Sequence, residues 1–367
     1  MATKTSSRDL PAQVARSVLR QNIQLKPGEN VLVEGWTHTL PWAVAFAREA
    51  RRMGAFPILH YEDEDSFWNS VEDKEDKILG AAPGHEWAAI AKTDVYLHMW
   101  GPGDRVRMQT LPAARQDRVL GFNGAWYQAA AKAGLRGARM EVGRPFPTLA
   151  KAYQVDEEDW RRDVVSAMMV PPEKLRQSAA PIARALKRGT TLRIQDDRGT
   201  DLVLGLAGRE PRVNWGRLGP RKTYGRFGML LNLPAGAVRV ALDEKVAQGT
   251  LVANRTCYYE DGMAKGACFH FEKGKLTSAE FDSGSDRFDK PFRKAGKGKD
   301  QPGFLAIGLN PELKDTPQVE DIERGAVMVS VGGNQGFGGN NAAQFFGWAI
   351  TAGARMTVDG RSLPIPG

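Results

Sequence analysis

Glycines and amide side chains that suit ligand binding are concentrated near the C-terminus, in GGNQGFGGNNAAQFFGWAI (332–350). The segment GGNQGFGG matches neither the dinucleotide fingerprint GxGxxG nor the phosphate-loop pattern GxxxxGK(S/T). Glycines permit positive φ and close backbone approach, and Asn and Gln side chains orient a ligand by hydrogen bonds. The residue types therefore favour a cleft wall, or a turn between strands, over a nucleotide site.

The five histidines show none of the HxH, HxxxH or HExxH spacings that would indicate a metal site. His60 and His98 each follow a strand-like run near its carboxyl end, where α/β proteins gather ligand sites; a structural role is the alternative. His270 alternates with Phe269 and Phe271, so it points away from both, toward either a pocket or solvent. No Ser-His-Asp or Cys-His nucleophilic set has support, since GxSxG is absent.

The composition is that of a soluble globular protein with room for two domains. The chain has 367 residues, of which 42% are hydrophobic and 26% charged, enough for each domain to bury its own core. No run reaches the ~18 to 20 apolar residues of a membrane span, and the N-terminus lacks the apolar region of a signal peptide. Two cysteines, Cys257 and Cys268, make no disulfide framework. We therefore expect a cytoplasmic protein without a membrane partner.

The net charge of +8 invites a nucleic-acid interpretation, but the basic residues are spread along the chain. The densest stretches cover 212–228 and 290–300. The first places Trp215, Tyr224 and Phe227 between basic residues, as a stacking surface for bases would. No helix-turn-helix, zinc-finger or RNP-type signature accompanies them. A basic loop near an anionic small ligand is the favoured interpretation, so nucleic acid is not the expected partner.

The pattern of predicted secondary structure differs between the first and the second part of the chain. Short apolar runs alternate with helical patterns in the first part: ENVLVEGW, FPILHY and VYLHMW predict strands, while LPWAVAFAREARRMGA and HEWAAIAKTD predict helices. RVLGFN then leads into WYQAAAKAGLRG. This alternation predicts βαβ units around a parallel sheet. After two further helical patterns, short alternating runs such as TLRIQ and ARMTV predict antiparallel strands. We expect an α/β domain over 1–155 and a β-rich, barrel-like domain over 156–367.

Three segments in order resemble the aminopeptidase T family of metallopeptidases, which shares its fold with 2,5-dihydroxypyridine dioxygenase. They are GTDLVLGLAGR (199–209), NLPAGAV (232–238) and the span from LAIGLNPELKD to VSVGGNQGFGGNN (305–341). The terminal TVDGRSLPI is similar to the family's last strand pair. The resemblance implies a homodimer or larger homo-oligomer.

The metal ligands that the resemblance implies are missing from this chain. The two glutamate positions hold Ala237 and Phe304, and the histidine position holds Met328. Gln335 falls near the position of the catalytic tyrosine, and the segment 344–348 lacks the expected His-x-Asp pair. Divalent metals need carboxylate, imidazole or thiolate donors. The resemblance therefore implies a cleft that no longer holds that metal, and we predict no cofactor.

Other polar and aromatic residues remain in the cleft that the resemblance defines. Asp243 and Glu244 are its candidate acids or bases, with a solvated turn as the alternative, and Arg239 is a candidate carboxylate clamp. Phe345, Phe346 and Trp348 would stack on a planar ligand or pack the core. The predicted substrate-binding residues are Arg239, Asn334, Gln335, Asn341, Gln344, Phe346, Trp348 and His270, with Asn232 and Asn340 nearby.

Three hypotheses of function follow. The leading one is a metal-independent, hydrolase-like enzyme that hydrolyses or opens a small aromatic, N-heterocyclic or carboxylated molecule. The second is a metal-dependent aminopeptidase or dioxygenase that uses other ligands, such as His60, His98 or His270. The third is a non-catalytic relative that binds a small molecule. Because fold does not fix function, the resemblance alone does not decide between them.

Overall fold

The computed structural model describes residues 10–73, 75, 79, 81, 84–218 and 229–364. Tyr224 and Phe227 of the basic stretch lie outside the described residues. The chain forms two compact units, one made of Met1–Pro171 and Gly216–Pro234, the other of Pro172–Trp215 and Ala235–Gly367. The chain therefore passes between the units three times, which composition along the sequence does not reveal. The predicted boundary at residue 155 stays a prediction.

The N-terminal unit is built on a five-stranded parallel sheet in the order β2-β1-β3-β4-β8. Its strands are β1 (Asn30–Trp36), β2 (Phe56–Glu62), β3 (Val95–Met99), β4 (Arg136–Met140) and β8 (Leu230–Leu233). The central strands are rich in buried apolar residues, as a sheet covered by helices requires. The predicted parallel α/β architecture is confirmed.

Eight α-helices accompany this sheet among the described residues. They are α1 (Leu10–Ser17), α2 (Leu40–Arg52), α3 (Glu64–Asp73), α4 (Gly84–Ala91), α5 (Arg105–Thr110), α6 (Ala113–Ala133), α7 (Pro147–Tyr153) and α8 (Glu157–Met168). Helix α2 begins with a proline in its first turn and is followed by Gly54 at φ +81°, which suits a residue without Cβ. RVLGFN and WYQAAAKA both lie within the single helix α6. None of the described helices is long and apolar enough to cross a membrane.

Among its described residues, the C-terminal unit contains two antiparallel sheets, a two-stranded hairpin and two α-helices, α9 (Pro172–Arg188) and α10 (Asp286–Lys294). The seven-stranded sheet joins β14 (Lys275–Glu280), β13 (Cys268–Glu272), β10 (Ala247–Val252), β6 (Asp201–Gly205), β5 (Thr191–Gln195), β18 (Arg355–Val358) and β19 (Arg361–Ser362), in that order. The hairpin pairs β11 (Cys257–Tyr259) with β12 (Gly262–Ala264). The predicted β-rich, antiparallel second half is confirmed.

The five-stranded sheet of this unit carries most of the predicted site residues. Its order is β17 (Phe346–Ala352), β16 (Ala326–Gly332), β15 (Pro302–Gly308), β9 (Ala237–Ala241) and β7 (Arg212–Asn214). Every residue of β15 and β16 is buried, so both faces of these central strands are covered. Beside Phe304, the pairing of β15 with β16 shifts register, and the Ser330 hydroxyl accepts a hydrogen bond from the Phe304 amide at 2.8 Å.

Candidate functional site

The glycine- and asparagine-rich loop between β16 and β17 is held by the buried side chain of Asn334. Its amide nitrogen donates to Glu244 Oε1 at 2.9 Å and to the Gly303 carbonyl at 3.1 Å. Its oxygen accepts from the backbone nitrogen of Asn341 at 2.9 Å. A Cβ on Gly339 would lie 2.0 Å from that oxygen. Asn334 therefore fixes the loop from inside, and glycine at 339 leaves room for it.

Asn341 stabilises the same loop from its other end. Its amide nitrogen donates to the carbonyls of Gly298 and Gly332 at 2.7 and 2.8 Å, and its oxygen accepts from the Ala343 amide at 3.0 Å. Both side chains are buried, and both amide groups form hydrogen bonds within the chain. Their observed role is therefore structural. The ligand contact predicted for Asn334 and Asn341 stays a prediction.

Glu244 joins this loop to the turn after β9. It forms an ion pair with Arg209 at 2.6 Å and accepts from the Asn340 backbone nitrogen at 2.8 Å, besides Asn334. Burial disfavours the charged carboxylate, but the hydrogen bonds from Arg209, Asn340 and Asn334 outweigh it and lower its pKa to about 2. Glu244 is therefore ionised at neutral pH. Its neighbour Asp243 accepts from the Lys245 amide at 2.9 Å.

Arg239 lies on β9 with its guanidinium already paired. Its Nε donates to Asp321 Oδ2 at 3.0 Å, and a terminal nitrogen contacts the same oxygen. Both side chains are mostly buried. An anionic ligand would have to replace Asp321 to use Arg239 as a clamp.

The remaining predicted polar residues lie at different places. Gln335 and Gln344 are exposed on the loop, and Gln344 donates to the Ala342 carbonyl at 3.1 Å. His270 lies on β13, where Nδ1 is 2.9 Å from the Thr250 hydroxyl and Nε2 is 3.4 Å from Cys268 Sγ. Both glutamines therefore lie on the loop between β16 and β17, while His270 belongs to the seven-stranded sheet.

Five aromatic side chains form a continuous row, which we call the aromatic row. Three of them lie on strands of the five-stranded sheet. Successive centroid distances along Tyr259, Trp348, Phe346, Phe304 and Phe337 are 4.7, 4.9, 5.2 and 3.9 Å. The ring of Phe346 is inclined by only 21° to Trp348 and 15° to Phe304. Phe346 is 42% exposed, whereas Phe304 is 5% exposed. The row thus combines a partly exposed ring, Phe346, with a buried ring, Phe304, on which it stacks.

A polar donor accompanies this apolar surface. The indole Nε1 of Trp348 is shielded from solvent and has no hydrogen-bond partner among the described residues. Tryptophan N–H groups in buried positions usually find an acceptor. The indole Nε1 is therefore a buried donor without an acceptor among the described residues.

The residues at the implied metal positions do not fit a divalent metal. Phe304 and Met328 pack in one apolar cluster with Ala306, Ala326 and Ile350. Ala237 is fully buried on the adjoining strand. Among the described residues, no group of three or more His, Cys, Asp or Glu side chains could hold a metal ion. This donor set lacks the ligands that zinc, iron or cobalt would need.

Two members of the aromatic row have no signal in the sequence. Tyr259 and Phe337 come from a short hairpin strand and a short 3₁₀ turn, and neither stretch has a periodic pattern. Glu320 is also missed: it is buried, and burial raises its pKa well above the usual range. It accepts a long hydrogen bond from the Tyr258 amide, at 3.4 Å.

The histidines singled out at strand ends lie in the N-terminal unit, together with groups the sequence did not reveal. His98 Nδ1 is 3.2 Å from Glu34 Oε1, and His60 Nε2 is 2.9 Å from Glu62 Oε1. The sequence signal for these polar groups is Glu34, a glutamate inside the apolar run ENVLVEGW.

The family assignment rests on a match across most of the chain. The family model described as thermophilic metalloprotease (M29) matches residues 9–298. The chain therefore belongs to the M29 family. The matched stretch ends before β15, so the strands that carry the aromatic row from Phe304 onward lie beyond it.

Solved structures show the same fold over nearly the full length. AmpT from Thermus thermophilus aligns with a TM-score of 0.70 and 18% identity, covering 97% of this chain and 99% of that chain. The 2,5-dihydroxypyridine dioxygenase from Pseudomonas putida KT2440 aligns with a TM-score of 0.63 and 15% identity, covering 98% and 97%. A search of curated proteins finds no significant match. The suspected resemblance is confirmed, and both expected relatives share the fold.

Proposed function

We propose that this M29 protein is a metal-independent, hydrolase-like enzyme that acts on a small planar aromatic or N-heterocyclic molecule. The observation that carries the proposal is the aromatic row, which includes a residue at an implied metal-ligand position, Phe304. Where the resemblance implies a cluster of donors, the sheet presents stacked rings over buried aliphatic side chains. Such a surface recognises a flat apolar ring rather than a cation of high charge density.

The geometry of Phe346 supports stacking with a flat ligand. A ring at a strand position with 42% of its surface exposed gains by being covered, because aromatic pairs contribute about 0.5–1.5 kcal/mol beyond burial. The ring planes of its two neighbours, Phe304 and Trp348, are nearly parallel to its own, and this stacking limits its rotation. The ligand therefore meets a ring that is already oriented.

Polar groups at the edges of the row supply the recognition of ligand oxygens. The exposed amides of Gln335 and Gln344 offer both donors and acceptors. A carboxylate or ring carbonyl would pair with these groups while the ring stacks on Phe346. Arg239 is occupied by Asp321, so it contributes to binding only after exchanging its partner.

The type of reaction is inferred from the nearby acids and from the fold. Hydrolysis or ring opening requires a proton donor and a proton acceptor. Asp243 and Glu244 remain the predicted pair. One structural neighbour is named as a dioxygenase of a dihydroxypyridine, which is an N-heterocycle. That likeness supports the choice of ligand class.

Ligand binding tests the proposal most simply. Benzoate, nicotinate and nicotinamide are titrated into wild-type protein and Phe346→Ala, with Phe56→Ala, an exposed phenylalanine of the N-terminal unit, as the matched control. We expect at least one compound to bind, with affinity about tenfold weaker in Phe346→Ala, which corresponds to ~1.4 kcal/mol. Equal affinity in wild type and Phe346→Ala, or no binding at all, would contradict the proposal.

Turnover distinguishes the enzyme from its alternatives. Product formation that persists in a chelator supports the proposed enzyme. Saturable binding without product indicates a binding protein on the same scaffold, and chelator-sensitive cleavage of amino-acid amides indicates a metallopeptidase. The expected homodimer stays a prediction, which light scattering of the purified protein would measure.

A further inference from the structure

A row of polar residues crosses the parallel sheet of the N-terminal unit. Glu34 on β1 lies opposite His60 on β2 and His98 on β3. The row continues with Arg139 on β4 and Asn232 on β8. Residues opposite each other on neighbouring strands share one face of a sheet. Five polar side chains in one row are unusual in a parallel sheet, whose strands are commonly apolar.

The centre of this row is a hydrogen-bonded group of Glu34, Tyr96 and His98. His98 Nδ1 lies 3.2 Å from Glu34 Oε1 and 3.3 Å from the Tyr96 hydroxyl oxygen. The Tyr96 hydroxyl donates to the other carboxylate oxygen of Glu34. The side chains of Glu34 and His98 are only 16% and 15% exposed. The group is thus mostly shielded from solvent but not completely buried.

Glu34 determines which imidazole nitrogen carries the proton. Burial disfavours its charge, but the interaction with His98 and the hydrogen bond from Tyr96 outweigh it and lower its pKa below the ordinary value. An ionised carboxylate accepts the Nδ1–H, so in the neutral imidazole the lone pair lies on Nε2. Within the described part of the chain, no group hydrogen-bonds to Nε2 of His98. In the neutral imidazole, Nε2 is therefore able to accept a proton from a ligand.

Arg139 lies on the strand next to His98 and has no carboxylate partner among the described residues. Its guanidinium carbon is 5.2 Å from the Tyr127 ring centroid and 5.7 Å from that of Trp100. By contrast, Arg144 stacks on Trp100 at 4.0 Å and pairs with Glu141 at 3.1 Å. Arginine held by aromatic faces keeps its N–H groups free to bind a carboxylate in two-point fashion.

We propose that Arg139 and His98 form a ligand site in the N-terminal unit, at which Arg139 binds a small monocarboxylate and His98 Nε2 accepts a proton from it. The proton comes from an acidic N–H, O–H or C–H of the ligand and leaves the bonding electron pair on that atom. The resulting imidazolium is neutralised by Glu34 and returns the proton to the product. Glu34 and Tyr96 are positioning residues, because they act through His98.

The charges around the row explain the choice of a single carboxylate. His60 is hydrogen-bonded to Glu62, which raises the pKa of the imidazole. Glu86 on α4 has its pKa raised to about 7, first by burial and then by the charge of Glu34. The titratable and charged groups on this row and in contact with its members are Glu34, His60, Glu62, Glu86, Tyr96 and Arg139. Because several are acidic, a second negative charge on the ligand would be repelled.

The first experiment follows His98 by NMR while sodium benzoate is added to protein with ¹⁵N-labelled histidine. We expect the His98 ring signals, assigned with His98→Gln, to shift and saturate. Arg139→Met, which keeps the aliphatic stem, should weaken binding at least tenfold, whereas Arg48→Met, an exposed arginine of the same unit, should not. An unchanged His98 spectrum, or equal binding by Arg139→Met, would overturn the proposal.

Two further variants separate this site from the aromatic row and test the positioning role. Phe346→Ala should leave the His98 response intact, so failure here and failure of the proposed function are distinguishable. Glu34→Gln and Tyr96→Phe should move His98 from the Nδ1–H toward the Nε2–H tautomer, which ¹⁵N shifts report directly. A wild-type His98 in the Nε2–H form would refute the assignment of the proton acceptor.

Discussion

Replacing Glu244 by glutamine separates a structural role from a catalytic one. Its carboxylate joins Arg209, Asn334 and the Asn340 amide, so Glu244→Gln keeps an acceptor for the loop but loses the charge beside Arg209. The carboxyl pKa falls from its ordinary 4.5 to about 2, and one pKa unit equals about 1.4 kcal/mol. The upper limit is thus about 3 kcal/mol. Since the group borders solvent, screening reduces the expected loss of unfolding free energy to about 1–2 kcal/mol.

Urea unfolding of wild type and Glu244→Gln measures this loss, with Glu210→Gln as the control. Glu210 pairs with Lys187 in a far more exposed position, so its replacement should have little effect. A group with a lowered pKa stabilises the fold above its unfolded-state pKa and loses that effect as pH falls toward the folded value. The difference between wild type and Glu244→Gln should therefore be full at pH 6 and shrink between pH 4.5 and 2. A variant as stable as wild type, but without turnover, would refute the structural role and favour catalysis.

Two other substitutions test contacts of the C-terminal unit. Gly339→Ala should destabilise the unit by about 1–3 kcal/mol, because the new Cβ would lie 2.0 Å from the Asn334 oxygen; Gly336→Ala, which meets no atom within 4 Å, should be nearly neutral in the same thermal melts. Asp321→Asn should cost about 1–2 kcal/mol in urea unfolding, because Arg239 loses its ionic partner. Unchanged stability of Asp321→Asn would contradict this expectation and show that the ion pair contributes little to the fold.

The architecture could be predicted because local patterns in this chain agree with its tertiary structure. The runs around 30–36, 56–62 and 95–99 are apolar and β-branched or aromatic, and each is a strand of the parallel sheet. The return of 230–233 to that sheet as β8 has no local signal, because pairing partners distant in sequence are set by tertiary hydrogen bonding. Helix α6 was likewise hidden, since Gly121 and Gly124 interrupt its pattern.

The candidate site was predicted in part. The side-chain types at Asn334, Asn341 and Glu244 pointed to the loop, but residue type does not tell whether a polar group faces a ligand or the chain itself. In the structure their hydrogen bonds close on one another. Stacking of Phe346 with Phe304 joins residues 42 positions apart, and a pairing of that range has no periodic signature.

The most direct test of the central claim is the metal content of the purified, untagged protein after dialysis against equimolar zinc, cobalt or iron(II). The apolar cluster of Phe304, Met328 and their neighbours offers no donor set for these ions. We therefore predict far less than one metal ion per chain by elemental analysis. A stoichiometric metal that survives dialysis, and that Phe304→Leu or Met328→Leu leaves in place, would contradict the account and direct attention to the histidines.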